Sequence, residues 1–174
     1  MPRRPVPVDF YRRDVLEVAP DLLGKLLCRR RADGTVTARP ITEVEAYRGE
    51  ADSACHARAG RTKRTAVMYQ PGGVAYIYLC YSVHHLLNLV TGPADLPQAA
   101  LIRGVQGAPG PGRLTRELDI DLTLNGASLL GGDIWLADAD RPPPLVRAGP
   151  RVGIGHATLA DQALPWRWTA AYPE

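Results

Sequence analysis

Phenylalanine is nearly missing from this chain: its 174 residues hold one Phe against seven Tyr. A ring-rich core normally takes Phe, because each buried tyrosine hydroxyl needs a partner. Cysteine is scarce too. Cys28, Cys55 and Cys80 are odd in number and lack CxxC spacing, which argues against a disulfide framework or a cysteine zinc site. Lysine stands only at Lys25 and Lys63, so nearly all of the 21 basic residues are arginine. Arginine forks suit phosphate oxygens, although a genome that favours Ala, Gly and Pro codons produces the same bias. No run approaches the roughly 18 apolar residues of a membrane span, and the opening MPRRPVPVDF has charge but no apolar h-region. The expectation is a soluble cytoplasmic protein without a membrane partner.

What is present is an ordinary globular balance of 45% apolar and 22% charged residues, which excludes general disorder. The length suits one domain. Residues 1–13, rich in Pro and Arg, are expected as a loose arm, and 14–174 as the domain. Charge is uneven: residues 1–67 carry 14 basic against 9 acidic groups, net +5, and residues 68–174 carry 7 against 9, net −2. Asp14-Val-Leu-Glu17 has capping-box spacing ahead of a short apolar stripe that ends at Gly24. Pro20 either interrupts this helix or starts another. Lys25–Arg31 and Thr35–Ala46 read as strands joined by a turn at Asp33-Gly34, which places Glu43 and Glu45 on the same side. Residues 48–73 read as one long loop, and Val74–Cys80, His85–Val90 and Ala99–Val105 as strands, with a turn at Tyr81-Ser82. A Gly/Pro loop then opens a short helix at Leu114–Leu118, and the last 25 residues read as irregular.

Two clusters stand out chemically. Tyr69, Tyr76, Tyr78 and Tyr81 fall within thirteen residues beside an arginine-bearing loop, a pattern suited to stacking planar nucleobases; half-buried strand tyrosines with wet hydroxyls are the plainer account. In Glu43-Val-Glu45-Ala-Tyr47, two acids sit in an otherwise apolar strand end. A carboxylate among apolar and aromatic groups can act as a general base on water, as hydrolysis of a glycosidic bond requires, and an exposed strand edge would carry the same pair. A metal site built on Cys55, His56 and a later histidine stays open, although it matches no standard ligand spacing.

Taken in order, several segments resemble the alkyladenine (3-methyladenine) DNA glycosylase family. They include Asp21-Leu-Leu-Gly-Lys-Leu-Leu27, Ile41-Thr-Glu-Val-Glu-Ala-Tyr-Arg-Gly49, His56 before Gly60-Arg-Thr62, and Ala75-Tyr-Ile-Tyr-Leu-Cys-Tyr81. His84-His85, Asn88, Leu101-Ile-Arg103, Gly110-Pro-Gly-Arg-Leu114, Pro150-Arg-Val-Gly-Ile154 and Pro165-Trp-Arg167 continue the series to about residue 168.

The resemblance implies an α+β fold: a single mixed domain with a curved antiparallel sheet, short flanking helices and a protruding hairpin that inserts into DNA. It also implies a monomer that works on double-stranded DNA without metal or cofactor. A damaged purine would be flipped out and its N-glycosidic bond cut by water, starting base-excision repair. By position, Glu45 resembles the water-activating base and Arg103 its neighbour. Tyr47, His56, Tyr76 and Tyr78 resemble the pocket for the base, and Asn88 the residue that disfavours guanine. Tyr81 resembles the wedge, and Arg61, Arg64 and Arg113 are expected at the DNA backbone. Val44, Thr65 and Ser82 depart from the family pattern, which has threonine, asparagine and glycine there. Two other classes remain: a non-catalytic nucleic-acid-binding module using the same residues, and a metal-dependent hydrolase built on Cys55 and His56.

Overall fold

The computed structural model describes residues 3–171. Its first helix, α1 (Val8–Tyr11), is short, and α2 (Val15–Leu22) starts where Asp14 accepts a hydrogen bond from the Leu16 amide at 2.9 Å. Asp14 also pairs with Arg48 at 2.8 Å, and Gln98 accepts from the Val15 amide, so the helix start is tied to two distant segments. Burial works against the charge on Asp14, yet the bonds from Arg48 and Leu16 hold its carboxyl below the usual value. Pro20 lies inside α2, which continues past it to Leu22, so it neither breaks the helix nor begins another.

The strands are β1 (Leu26–Arg30), β2 (Val36–Arg48), β3 (Ala75–Cys80), β4 (His84–Thr91), β5 (Gln98–Val105) and β6 (Ala108–Pro109), followed by helix α3 (Pro111–Glu117). Then come β7 (Ile134–Ala137), β8 (Leu145–Gly149), helix α4 (Leu159–Ala163) and β9 (Arg167–Ala171). All pairings among them are antiparallel, and the main path runs β3-β4-β5-β2-β1-β7, with β6 on β5 and β9 bridging β2 to β8. The long β2 serves two neighbourhoods. Its first half pairs with β1, and its second half lies between β5 and β9. This is the curled α+β sheet that the family resemblance implied.

Between β2 and β5 the register slips around Glu43: Thr42 has no partner on β5, and Arg103 none on β2. Paired bulges of this kind redirect side chains. Here they let Arg103 lean across to the glutamates of β2. The principal core packs Val15, Val18 and Leu22 from α2 and Leu114 and Leu118 around α3 against Ile41, Ile77, Leu87 and Ile102 from the strands.

Three expectations need correction. Residues 3–13 are not a loose arm: Val6 is buried, Pro5 bridges to Ala137, and Tyr11 is fully enclosed. The physical reason is Gly72, where a Cβ would come within 2.2 Å of the Tyr11 carbonyl oxygen, so this glycine lets the N-terminal segment dock closely. Residues 1–2 of that expected arm, and 172–174 of the domain, lie outside the described residues. The stretch 48–73 is not one structureless loop, since it folds into short 3-10 turns at His56–Ala59 and Thr65–Tyr69. The last 25 residues contain α4 and β9 rather than irregular chain. Thr158 caps α4 by accepting from the Asp161 amide.

Candidate active site

Glu45 lies in the bulged half of β2 and is fully buried. One carboxylate oxygen accepts the Tyr47 hydroxyl at 2.9 Å, and the other accepts the Val152 amide at 2.6 Å. A guanidinium nitrogen of Arg103 stands 3.8 Å away. Burial pushes the Glu45 carboxyl above the ordinary glutamate value of 4.5, while the Val152 amide, Arg103 and Tyr47 oppose that shift. Glu43 shares the same side but another environment. It is partly exposed and bonds to Arg103 at 3.0 Å and Arg167 at 3.3 Å. The equal parity read from the sequence therefore holds, and Arg103 links the two acids.

Beyond Tyr47 opens a cleft of about 400 Å³. Its aromatic walls are Tyr47, His56, Tyr76 and Tyr78, with Asn88 and Arg64 on the same lining. The sheet brings these together because β3 and β4 pair in register, placing Tyr76 opposite Asn88. The 3-10 turn at His56–Ala59 then folds over them. His56 and Tyr76 share a hydrogen bond of 3.0 Å, and the His56 and Tyr78 rings meet edge-on at 4.5 Å between centroids. Burial, then Arg64, His156 and Arg58, lower the His56 pKa to about 4, which leaves the imidazole neutral at physiological pH. Asn88 is buried, and its amide donates to the Tyr76 carbonyl at 3.2 Å across the β3–β4 pair.

The β3–β4 hairpin ends in Tyr81 and Ser82, both left-handed with φ of 50° and 55°. Tyr81 is 91% exposed, and Leu79 and Val83 beside it also project from the tip. Such an apolar tip contributes nothing to the core. Among the arginines expected at a DNA backbone, Arg64 lies over the Tyr78 ring at 5.3 Å within the cleft. Arg61 pairs with Asp95 and Arg113 with Glu117, each with about half its side chain exposed. Surface pairs of this kind contribute little, so both cations remain available to an external anion.

Several residues at the site carry no chemical signal of their own in the sequence. Arg151, Val152, Asp52 and Trp166 support Glu45 and Tyr47 from behind, and Ile154 and His156 complete the cleft. Arg151, Val152, Ile154 and Trp166 enter only through the resemblance, because an arginine in a Gly/Pro-flanked stretch carries no periodic signal of burial. The metal alternative lacks its ligands: among the described residues no three His, Cys, Asp or Glu groups converge as a metal site. Cys55 is itself buried, which pushes its thiol up to about 11.

Similarity to known proteins runs over most of the chain. A family model described as methylpurine-DNA glycosylase (MPG) matches residues 9–108 and 104–173. A protein of Psychrobacter cryohalolentis is 41% identical, over 92% of this chain and 90% of its own length. One of Anaeromyxobacter dehalogenans is 45% identical, over 94% and 80%. One of Streptomyces avermitilis is 38% identical, over 95% and 87%. All three are named as candidate 3-methyladenine DNA glycosylases.

Proposed function

Because the chain belongs to the methylpurine-DNA glycosylase family, we propose that it excises methylated and deaminated purines from double-stranded DNA by hydrolysing the N-glycosidic bond. The observation that carries this reading is the buried Glu45 carboxylate, one hydrogen bond behind the Tyr47 wall of an aromatic cleft and beside Arg103. A binding module would gain nothing from an acid there, since a carboxylate repels phosphodiester.

In this mechanism the target purine leaves the helix and stacks among Tyr47, His56 and Tyr78. A methylated purine is cationic, so the faces of tyrosines attract it, and a neutral His56 adds no opposing charge. Tyr81 fills the space that the extruded nucleotide vacates. Glu45 takes a proton from water as the water oxygen bonds to the sugar C1′. The bond from C1′ to the purine nitrogen breaks, and its electron pair leaves with the base. A cationic purine thereby departs neutral, whereas a neutral purine such as hypoxanthine also needs a proton at departure. The raised pKa makes Glu45 a stronger base, and Arg103 keeps it charged.

The test is incubation of the protein with duplex oligonucleotides that each carry one lesion, including 7-methylguanine, hypoxanthine and ethenoadenine, followed by alkaline cleavage of abasic sites. Strand breaks at one or more lesions, and none at undamaged purines, are expected. Tight binding with no abasic product from any lesion would move the non-catalytic module ahead.

A further inference from the structure

Residues 150–157 have no strand or helix to hold them, yet the Val152 amide among them makes the 2.6 Å bond to Glu45. Arg167 donates to the Pro150 carbonyl at 2.9 Å and Gln162 to the Ala157 carbonyl at 2.7 Å, while next to Val152 the anchor is the side chain of Arg151. Arg151 bonds in a fork to the Asp52 carboxylate at 2.7 and 3.0 Å, and one of its nitrogens also donates to the Ala46 carbonyl at 3.0 Å. Ala46 is the next residue after Glu45 on β2. The guanidinium lies between the rings of Tyr47 and Trp166, 5.0 Å from each centroid. Trp166 is anchored in turn, because its carbonyl accepts the Ala46 amide at 2.9 Å. Asp52 also accepts from the Arg48 and Ala54 amides, which fixes the orientation of its carboxylate towards Arg151.

We infer that Arg151 is the positioning residue of the proposed reaction, through which the Asp52–Arg151 ion pair sets both hydrogen bonds that hold the Glu45 carboxylate. One bond is set through the backbone, since Arg151 carries Val152; the other is set through packing, since Arg151 supports the ring whose hydroxyl is the second donor. An ammonium could not replace it, because only a planar fork can serve Asp52 in bidentate fashion and stack between two rings. The inference rests on Glu45 acting as the base. Glu45 is faced by Glu43 and Tyr47 from its own strand, Arg103 from β5, Tyr78 from β3 and the Arg151–Val152 segment, and Arg167 is its register partner on β9. Of the groups that oppose the effect of burial on its carboxyl, the Val152 amide is the strongest.

The experiment is single-turnover release of methylpurines from dimethyl-sulfate-treated duplex DNA, followed from pH 4 to 9 for wild type, Arg151→Lys and Asp52→Asn. Loss of a charged hydrogen bond to Glu45 should move the acid limb of the rate profile up by roughly one pH unit and slow release near neutrality about tenfold. A merely structural arginine would lower the amount of folded enzyme and leave the limb where it was. If Arg151→Lys melts cooperatively and keeps the wild-type limb, the inference is overturned. Should Arg151→Lys fail to fold, Asp52→Asn decides in its place, because it keeps Arg151 and its bond to Ala46 and still should displace the limb. Glu45→Gln run alongside separates the two ideas: if it retains activity, the base assignment fails whatever the Arg151 variants do.

Discussion

Two glutamates two residues apart on β2 receive opposite treatment, and this difference yields the sharpest expectations. Glu45→Gln should lower single-turnover excision by about 10²–10⁴-fold while folding and lesion binding persist, because the amide keeps the size and reach of the acid but takes no proton. Glu43→Gln should lose far less, since the partly exposed Glu43 acts on Arg103 from outside the cleft. Rates measured for both variants on one lesion decide it: a dead Glu43→Gln beside an active Glu45→Gln would reverse the assignment. In the wild type the rate should fall on acidification with a midpoint above 4.5, as burial raises the Glu45 carboxyl. Asn88 concerns selectivity. Its buried amide is held by the Tyr76 carbonyl against the cleft, where it would crowd the 2-amino group of a normal guanine. Asn88→Ser should therefore raise guanine release relative to hypoxanthine by about tenfold or more, and an unchanged ratio of the two free bases would refute a pocket role.

At the scale of the element, the β3–β4 hairpin is a strand pair whose tip leaves Tyr81 and Val83 exposed. The turn takes left-handed backbone at both Tyr81 and Ser82 with no glycine there to ease it, at a cost of roughly 1–2 kcal/mol for each residue. Tyr81→Ala should leave the melting temperature unchanged within about 0.5 kcal/mol of stability, because the exposed ring packs on nothing. Excision from duplex at sub-saturating enzyme should fall, while a lesion in single-stranded DNA, which needs no gap filled, should be released as before. Equal losses on both substrates would show that Tyr81 is not a wedge. The hairpin also marks what was legible. Alternation in Val74–Cys80 and the break at Tyr81-Ser82 suffice to find it, as Asp14 and Asp33-Gly34 suffice for α2 and the β1–β2 turn. Pro20 within α2 and the strand at Arg167–Ala171 were not legible. Tertiary packing carries the first past its missing amide, and the second exists only because β2 and β8 offer it partners.

Across the whole molecule, burial created by the fold sets the acid stability, and no local pattern announces it. His56 has a pKa of about 4 in the fold against 6.5 for a free imidazole. Between those values the unfolded chain binds a proton that the native protein refuses, so stability contributed by the neutral ring is complete above pH 6.5 and is lost as pH falls towards 4. Solvent still reaches part of the ring, so the loss should be about 1–2 kcal/mol over this window. Glu45 works in the other direction. Its raised carboxyl takes up a proton in the fold before the unfolded chain does, which favours the native state as pH drops through that raised value. Asp14, Asp33, Asp121 and Asp161 all lie below the ordinary 3.8. Their losses begin only under more acid conditions. Thermal melts between pH 4 and 7 should therefore show a Tm that declines on acidification, a flatter decline for His56→Gln, and a steeper one for Glu45→Gln. If His56→Gln follows the wild-type slope, the imidazole is not held neutral by burial, and the argument that it spares a cationic purine from repulsion fails with it.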